Sequence, residues 1–359
     1  MASTLAGATI KSQTFGTRRI RPGDGTVSLV LAFGRDDPAR VRFAISPLWE
    51  TMAALRVLLE PQHRRYHLPW LDAVRADLDR LELWPLLVLS PHSGWTPDFL
   101  TPAPTGPGTD ITGQLAQVRA TPPELVAREV KLSLTQRSGE PVPKAAWRLL
   151  DDPLATRAML ADLLDQCWRL LIAPHWPRLG DRLQADMLYR TQMLGDYGLE
   201  RVLSELDPRA RWTGDALVID APSAGRYQLA GAGLLLLPSV FVWPGLTAVI
   251  DPPARPTLIY PARGIAELWQ PAPTGHSQAL ARLLGQTRAA LLESLTEPAS
   301  THTLARRHDL APSTVSEHLT VLHHAGLITR RRYRHTVIYQ QTPLGTELAD
   351  GDDKIQRRE

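Results

Sequence analysis

Hydrophobic positions change their spacing several times along the chain. From Pro47 to about Leu59, Leu48, Met52, Leu55 and Leu59 share one face at helical period, Ser46 is placed to cap, and Pro47 sits in the first turn. A second helix is expected from about Pro69 to Leu83, with Leu71, Val74, Leu78 and Leu81 inward. Helical pattern resumes near Asp110 and after Pro122-Pro123. It is clearest from Leu154 to Ile172, where Met159, Leu160, Leu163, Leu164, Cys167, Leu170 and Leu171 form a stripe. More helix is expected from Pro177 to Gly195 and from Tyr197 to Leu206. At Arg211 the period shortens, and 216–219, 227–229, 234–237, 240–243, 246–250 and 257–260 read as short strands between Gly, Pro and Asp. A last stretch, from Ser277 onward, is helical again.

This order predicts an α+β multidomain chain: an N-terminal helical block plus an antiparallel β-meander, then a C-terminal winged helix-turn-helix. Residues 1–40 read as a disordered tail, 41–270 as a regulatory or dimerisation domain, 271–276 as the linker, 277–350 as the C-terminal domain and 351–359 as a tail.

The most specific stretch is Leu310 to Tyr339. Asp309-Leu310-Ala311 makes a tight turn after a helix that Thr301 caps, and a second helix runs from Pro312 to about Ala325. Val315, Leu319 and Leu322 recur at i, i+4 and i+7, which buries one stripe and aims the opposite one outward. Ser313, Thr314, Glu317 and Thr320 on that outward side are short or polar enough to enter a DNA major groove. Ser316 and His318 flank them within reach of phosphates. Glu317 repels phosphate, so it needs a cytosine amino group or an arginine as partner. Gly326 ends the helix. Residues 328–333 and 336–341 then form a hairpin carrying Arg330, Arg331, Arg332 and, at its tip, Arg334 and His335. A charge run is usually a solvated face, but one beside a groove-fitting helix is a far more specific signal for double-stranded DNA.

Composition confines that surface. Net charge is only +3, so a nucleic-acid site must be local. Lysine occurs only at 11, 131, 144 and 354; arginine, with its planar fork of donors, suits phosphate better, but genomic base composition explains the bias equally well. The single cysteine, Cys167, excludes an internal disulfide and a multi-thiolate metal site, and its place in an apolar stripe marks it as a buried small residue. The N-terminal segment lacks the apolar core of a signal peptide, and a cytoplasmic location is expected. The uncharged run from Tyr227 to Ile250 is long enough to span a bilayer, but Pro238, Pro244, Gly231, Gly233 and Gly245 divide it into strand-length pieces, so no membrane span is expected. His63 and His67 share helical spacing, yet Arg64 stands where a zinc protease needs glutamate. Seven of the eleven histidines follow residue 275, without thiolates to join them in a metal site. No nucleophile elbow, phosphate loop or dinucleotide fingerprint occurs, so neither an enzyme nor a cofactor is expected. All ten tryptophans lie between Trp49 and Trp269, as core or as the lining of a ligand pocket.

The run TVSEHLTVLHHAGLI, followed by an arginine-rich hairpin ending in VIYQQTPLG, resembles the ArsR family of winged-helix repressors over roughly residues 277–350. That resemblance implies a homodimer, paired through the first helix and the 343–350 segment, on a pseudo-palindromic operator. It does not extend to the cysteine-bearing motif of the metal-sensing members, for which TEPASTHTLARRH has no counterpart. SPLWE (46–50), HLPW (67–70), PDFL (97–100) and YPARG (260–264) are similar to an actinobacterial subgroup with an uncharacterised N-terminal domain. The expectation is a sequence-specific DNA-binding regulator, a repressor, whose N-terminal domain takes a small-molecule effector. The alternatives are an enzyme or ligand-processing domain fused to the DNA reader, and a platform for dimerisation only.

Overall fold

The computed structural model describes residues 18–20, 27–59, 65–91, 95–106, 109–137, 141–221, 225–242, 245–250, 254–265, 268–269, 278–333 and 336–350. The expected linker, Ser277, His63, Arg334, His335 and the 351–359 segment lie outside them. The chain divides into two compact units, Met1–His175 with Tyr197–Ala262, and Trp176–Asp196 with Arg263–Glu359. The second unit thus draws a helix from deep inside the stretch expected to be N-terminal.

In the first unit Ser46 caps as its sequence suggests. Ser46 Oγ accepts the Trp49 amide at 3.0 Å and starts the helix Pro47–Leu59, whose Leu48, Met52 and Leu55 are buried. Asp110 opens Ile111–Ala120 through the Gly113 amide, and Asp152 opens Pro153–Cys167 through the amides of Leu154 and Ala155. The stripe on that last helix buries Leu160, Leu163, Leu164 and Cys167, while Met159 lies at its exposed edge. Burial pushes the Cys167 thiol up to about 12, so it stays protonated and inert as a nucleophile.

Strands form where the apolar runs predicted them, at Ala216–Ala221, Gly225–Gln228, Leu235–Ser239, Leu246–Val249 and Thr257–Pro261. Two details depart from expectation. Residues 240–242 turn, with Val242 donating back to the Ser239 hydroxyl. The pairing is also mixed, so the antiparallel meander becomes two sheets. One has five strands, in which Leu235–Ser239 runs parallel to both Thr257–Pro261 and Arg42–Phe43, whereas Leu246–Val249 is antiparallel. The other has four, and an inner member is Val27–Ala32, antiparallel to Ala216–Ala221 and parallel to Gly225–Gln228. The expected tail therefore contributes from Val27 onward. VSLVLA alternates along the strand, with Leu29 and Leu31 buried and Ser28 and Val30 half-buried, the pattern of a strand with one face on the core.

The second unit begins with part of a long helix, α1 (Trp176–Ser204), whose backbone leaves helical geometry at Gly198 (φ 81°, ψ 179°). It continues with α2 (Gln278–Leu284), α3 (Gln286–Glu293), β1 (Ala299–Ser300), α4 (Thr301–Arg307), α5 (Pro312–His324), β2 (Ile328–Tyr333), β3 (Thr336–Gln341) and α6 (Pro343–Asp350). The strands make a three-stranded sheet in the order β1-β3-β2. Leu280, Leu291, Leu292 and Leu295 meet Leu304, Ala305, Val315, Leu319 and Leu322 in one core, closed from the sheet side by Ile328 and Tyr339. Burying each leucine here is worth roughly 1.5–3 kcal/mol, so this core sets the angle between α4 and α5.

Candidate nucleic-acid interface

Two adjacent turns fix the orientation of α5. The α4 cap is Ser300, one residue ahead of the expected Thr301: its Oγ accepts the Thr303 amide at 3.1 Å, and Ser300 also pairs with Ile338 in the sheet. After α4, Asp309 takes a left-handed conformation (φ 53°), and Leu310 donates to the Ala305 carbonyl at 2.8 Å. The chain reverses within three residues and enters α5 at Pro312, where a missing N–H costs nothing. At the far end Gly326 (φ 71°) lets Leu327 donate to the Leu322 carbonyl at 3.0 Å, which closes the helix.

On α5 the division into faces is complete. Val315, Leu319 and Leu322 are buried; Ser313, Ser316, Glu317 and Thr320 are exposed; Thr314 and His318 are half-buried. The Thr320 hydroxyl donates to the Ser316 carbonyl at 2.8 Å, so outward it offers lone pairs and a methyl group, an acceptor and an apolar contact. His323 and His324 follow, their ring centroids 6.1 Å apart at 61°. Among the described residues no group of three or more His, Cys, Asp or Glu is gathered for a metal ion. His308, from the same cluster in sequence, is used locally: its Nε2 meets Ser294 Oγ at 2.7 Å.

The hairpin pairs Arg330 with Tyr339, Arg331 with Ile338 and Arg332 with Val337, and all three arginines are exposed. Alternation along a strand places Arg330 and Arg332 on one side of the ribbon and Arg331 on the other. The cations therefore do not form a single patch, as a count of charges suggests, but a pair and a single. Arg334 and His335 lie outside the described residues.

The four N-terminal motifs turn out to be seams of the fold. In SPLWE, Ser46 caps, and Glu50 is buried and accepts the Val240 amide at 3.0 Å. Burial holds the Glu50 carboxyl at about 7, against hydrogen bonds from Ser239, Val240 and Phe241 that lower it. In HLPW, burial holds His67 at about 4; its ring lies 4.9 Å from Phe241, and Trp70 packs on the same ring while donating to the Leu171 carbonyl. In PDFL, the Phe99 amide donates to Glu129, whose carboxyl burial also raises to about 7. Of the tryptophans, Trp49, Trp70 and Trp95 are buried in this packing, whereas Trp84 and Trp147 are exposed. Among the described residues no helix is long and apolar enough to cross a membrane.

Sequence reasoning missed the part of the second unit that comes from α1. Asp181 and Arg182 reach Arg306 and Glu297, partners 125 and 115 residues away, and no linear spacing announces such pairs.

Two family models match separate stretches of the chain. The family described as bacterial regulatory protein, arsR family, matches residues 285–330, and a family of unknown function (DUF5937) matches residues 107–266. No curated protein matches. Among solved structures, a ZitR mutant from Lactococcus lactis is 20% identical over 20% of this chain and 52% of its own, with a TM-score of 0.19. This chain thus spans about half that protein's length. Reduced HlyU from Vibrio cholerae is 25% identical over 23% of this chain and 87% of its own (TM-score 0.20), and the transcriptional regulator BldR from Sulfolobus solfataricus 24% over 23% and 64% (TM-score 0.21). Residues 285–330 are thus similar to the arsR family of bacterial regulatory proteins, and the stretch ahead of them, over residues 107–266, to a family of unknown function.

Proposed function

We propose that the protein represses transcription as a homodimer on a pseudo-palindromic operator. Ser313, Thr314, Glu317 and Thr320 read base edges, Ser316 and His318 contact phosphates, and the wing arginines Arg330, Arg331, Arg332 and Arg334, with His335, run along the backbone. The observation that carries this reading is the polar face of α5, set over buried Val315, Leu319 and Leu322 and followed at once by a cationic ribbon. The homodimer draws support from Leu283 and Leu344, which leave 68% and 56% of their surface exposed on α2 and α6, the two helices that the family resemblance assigns to the two-fold.

The effector belongs to the same proposal: the N-terminal domain binds a small molecule whose affinity differs between two arrangements of the dimer. The test is selection of genomic DNA fragments by the purified full chain, followed by titration of the selected fragment. Recovery of one fragment with two-fold-related half-sites is the expected result. Uniform recovery of all fragments with equal affinity would overturn sequence-specific recognition.

A further inference from the structure

Arg263 and Gly264, the end of the YPARG motif, and the first part of α1 come together inside the second unit. Arg263 donates its amide to buried Asp186 at 3.1 Å, and its guanidinium lies 3.7 Å over the Tyr189 ring. Gly264 (φ 71°) follows, and a methyl group there would strike the Arg182 guanidinium where it pairs with Glu297. One residue earlier on α1, Asp181 meets Arg306 at 2.5 Å, while Arg306 also donates to the Pro177 carbonyl at 3.1 Å. Arg306 stands in the last turn of α4, one residue beyond Ala305, which packs against the buried face of α5. Glu297 lies two residues ahead of β1, which leads into α4. The last turn of α4 and the segment that leads into it are thus tied to α1 by charge pairs, and α4 in turn packs on α5.

We propose that Asp181 and Arg182 are positioning residues for DNA recognition: through Arg306 and Glu297 they hold α4 against α1 and so fix the presentation of the recognition helix. The contact places α1 within the working DNA-binding module, although its sequence falls inside the stretch matched by the DUF5937 family. This inference rests on the proposed reading that α5 enters DNA.

The test uses the full chain and the DNA fragment recovered by genomic selection. Asp181→Arg sets two cations against each other and lowers affinity about five-fold, the ratio that ~1 kcal/mol of coupling gives. The salt dependence of binding keeps its slope, because no phosphate contact is lost. The exchanged pair, Asp181→Arg with Arg306→Asp, restores affinity to within about two-fold, a rescue that general destabilisation does not produce. Asp181→Asn, which keeps the shape, lowers affinity in the same direction by less and decides the matter if Asp181→Arg fails to fold. Arg330→Ala/Arg332→Ala is the control for the reading itself. If that control weakens binding while the Asp181 variants stay within two-fold of the parent, the positioning role is overturned and the DNA reading stands. If the parent chain binds no fragment, or the control changes nothing, the reading falls and takes this proposal with it.

Discussion

Because strand alternation puts Arg330 and Arg332 on one side of the wing and Arg331 on the other, the three arginines are not equivalent. A ribbon lying along a phosphate backbone presents one side, and the side with two cations is the favourable one. Replacing Arg330 and Arg332 by alanine then removes two phosphate contacts. Each contact contributes about −0.9 to the slope of log affinity against log salt, so the double variant flattens that slope by about 1.8. At about 0.15 M salt this corresponds to a loss of roughly 30-fold, near 2 kcal/mol, and at about 0.05 M to roughly 200-fold. Arg331→Ala changes the slope by less than about half a unit, and adding it to the double variant changes little more. The assay is fluorescence anisotropy of the selected fragment at four or five salt concentrations, with the fold checked by circular dichroism. An unchanged slope in the double variant, or an equal loss from Arg331→Ala alone, refutes the assignment of sides.

Further outcomes can be checked on purified protein. Gly345, at the start of α6, approaches the Leu327 carbonyl so closely that a methyl group has no room. Gly345→Ala should therefore lower the melting temperature of the second unit, and an unchanged transition would remove the close approach from the account. Leu319→Ala, which opens the core beneath α5, should cost about 2–5 kcal/mol in denaturant unfolding; a loss under ~1 kcal/mol contradicts its burial. At left-handed Asp309, glycine should be neutral or better, whereas valine should cost about 1–2 kcal/mol, and equal melting temperatures for the two would count against the turn as drawn. Glu50 is held at about 7 against an ordinary 4.5, so the folded state keeps a proton that the unfolded state releases. Its contribution to stability is full below about pH 4.5 and is lost as pH rises through about 7. Glu50→Gln should remove that part of the decline between pH 5 and 8, and parallel pH profiles for the two proteins would disprove it.

What the sequence made legible is what depends on neighbours in the chain. The cap at Ser46 and the stripe of Val315, Leu319 and Leu322 follow from residues within seven positions of one another, whereas the break expected between Gly195 and Tyr197 falls instead at Gly198. Strand existence was legible for the same reason, since short apolar runs between turns announce themselves. Strand partnership was not. Val27–Ala32 pairs with segments about 190 residues away, and nothing in VSLVLA favours a parallel neighbour over an antiparallel one. The outward residues of α5 could be named from periodicity, whereas the division of the hairpin cations into a pair and a single needed the register. Thr320 shows a finer limit: its side was correct, but its hydroxyl proton is already given to Ser316.

The same distinction explains why the domain boundary drawn along the chain and the unit formed in space disagree. A linker rich in proline and glycine separates residues by sequence, yet compactness is decided by which surfaces are buried together. The arsR-family match spans only 285–330, while the unit around it also contains Trp176–Asp196. Arg190 and Asp186 show that α1 is an integral part of that unit: their side chains are 4% and 0% exposed, and Asp186 also takes the Arg263 amide. A carboxylate that deep is tolerated only with its partners present, and removing Arg263–Ile265 leaves it short of a donor. A fragment cut at the apparent linker would therefore strip α1 from α4 and leave Arg306 and Glu297 without Asp181 and Arg182. It would keep every residue proposed to face DNA while losing the charge pairs proposed to set their angle. Such a fragment should bind DNA with the salt slope of the full chain but with weaker discrimination between the selected fragment and random DNA, because phosphate contacts survive misorientation and base contacts do not.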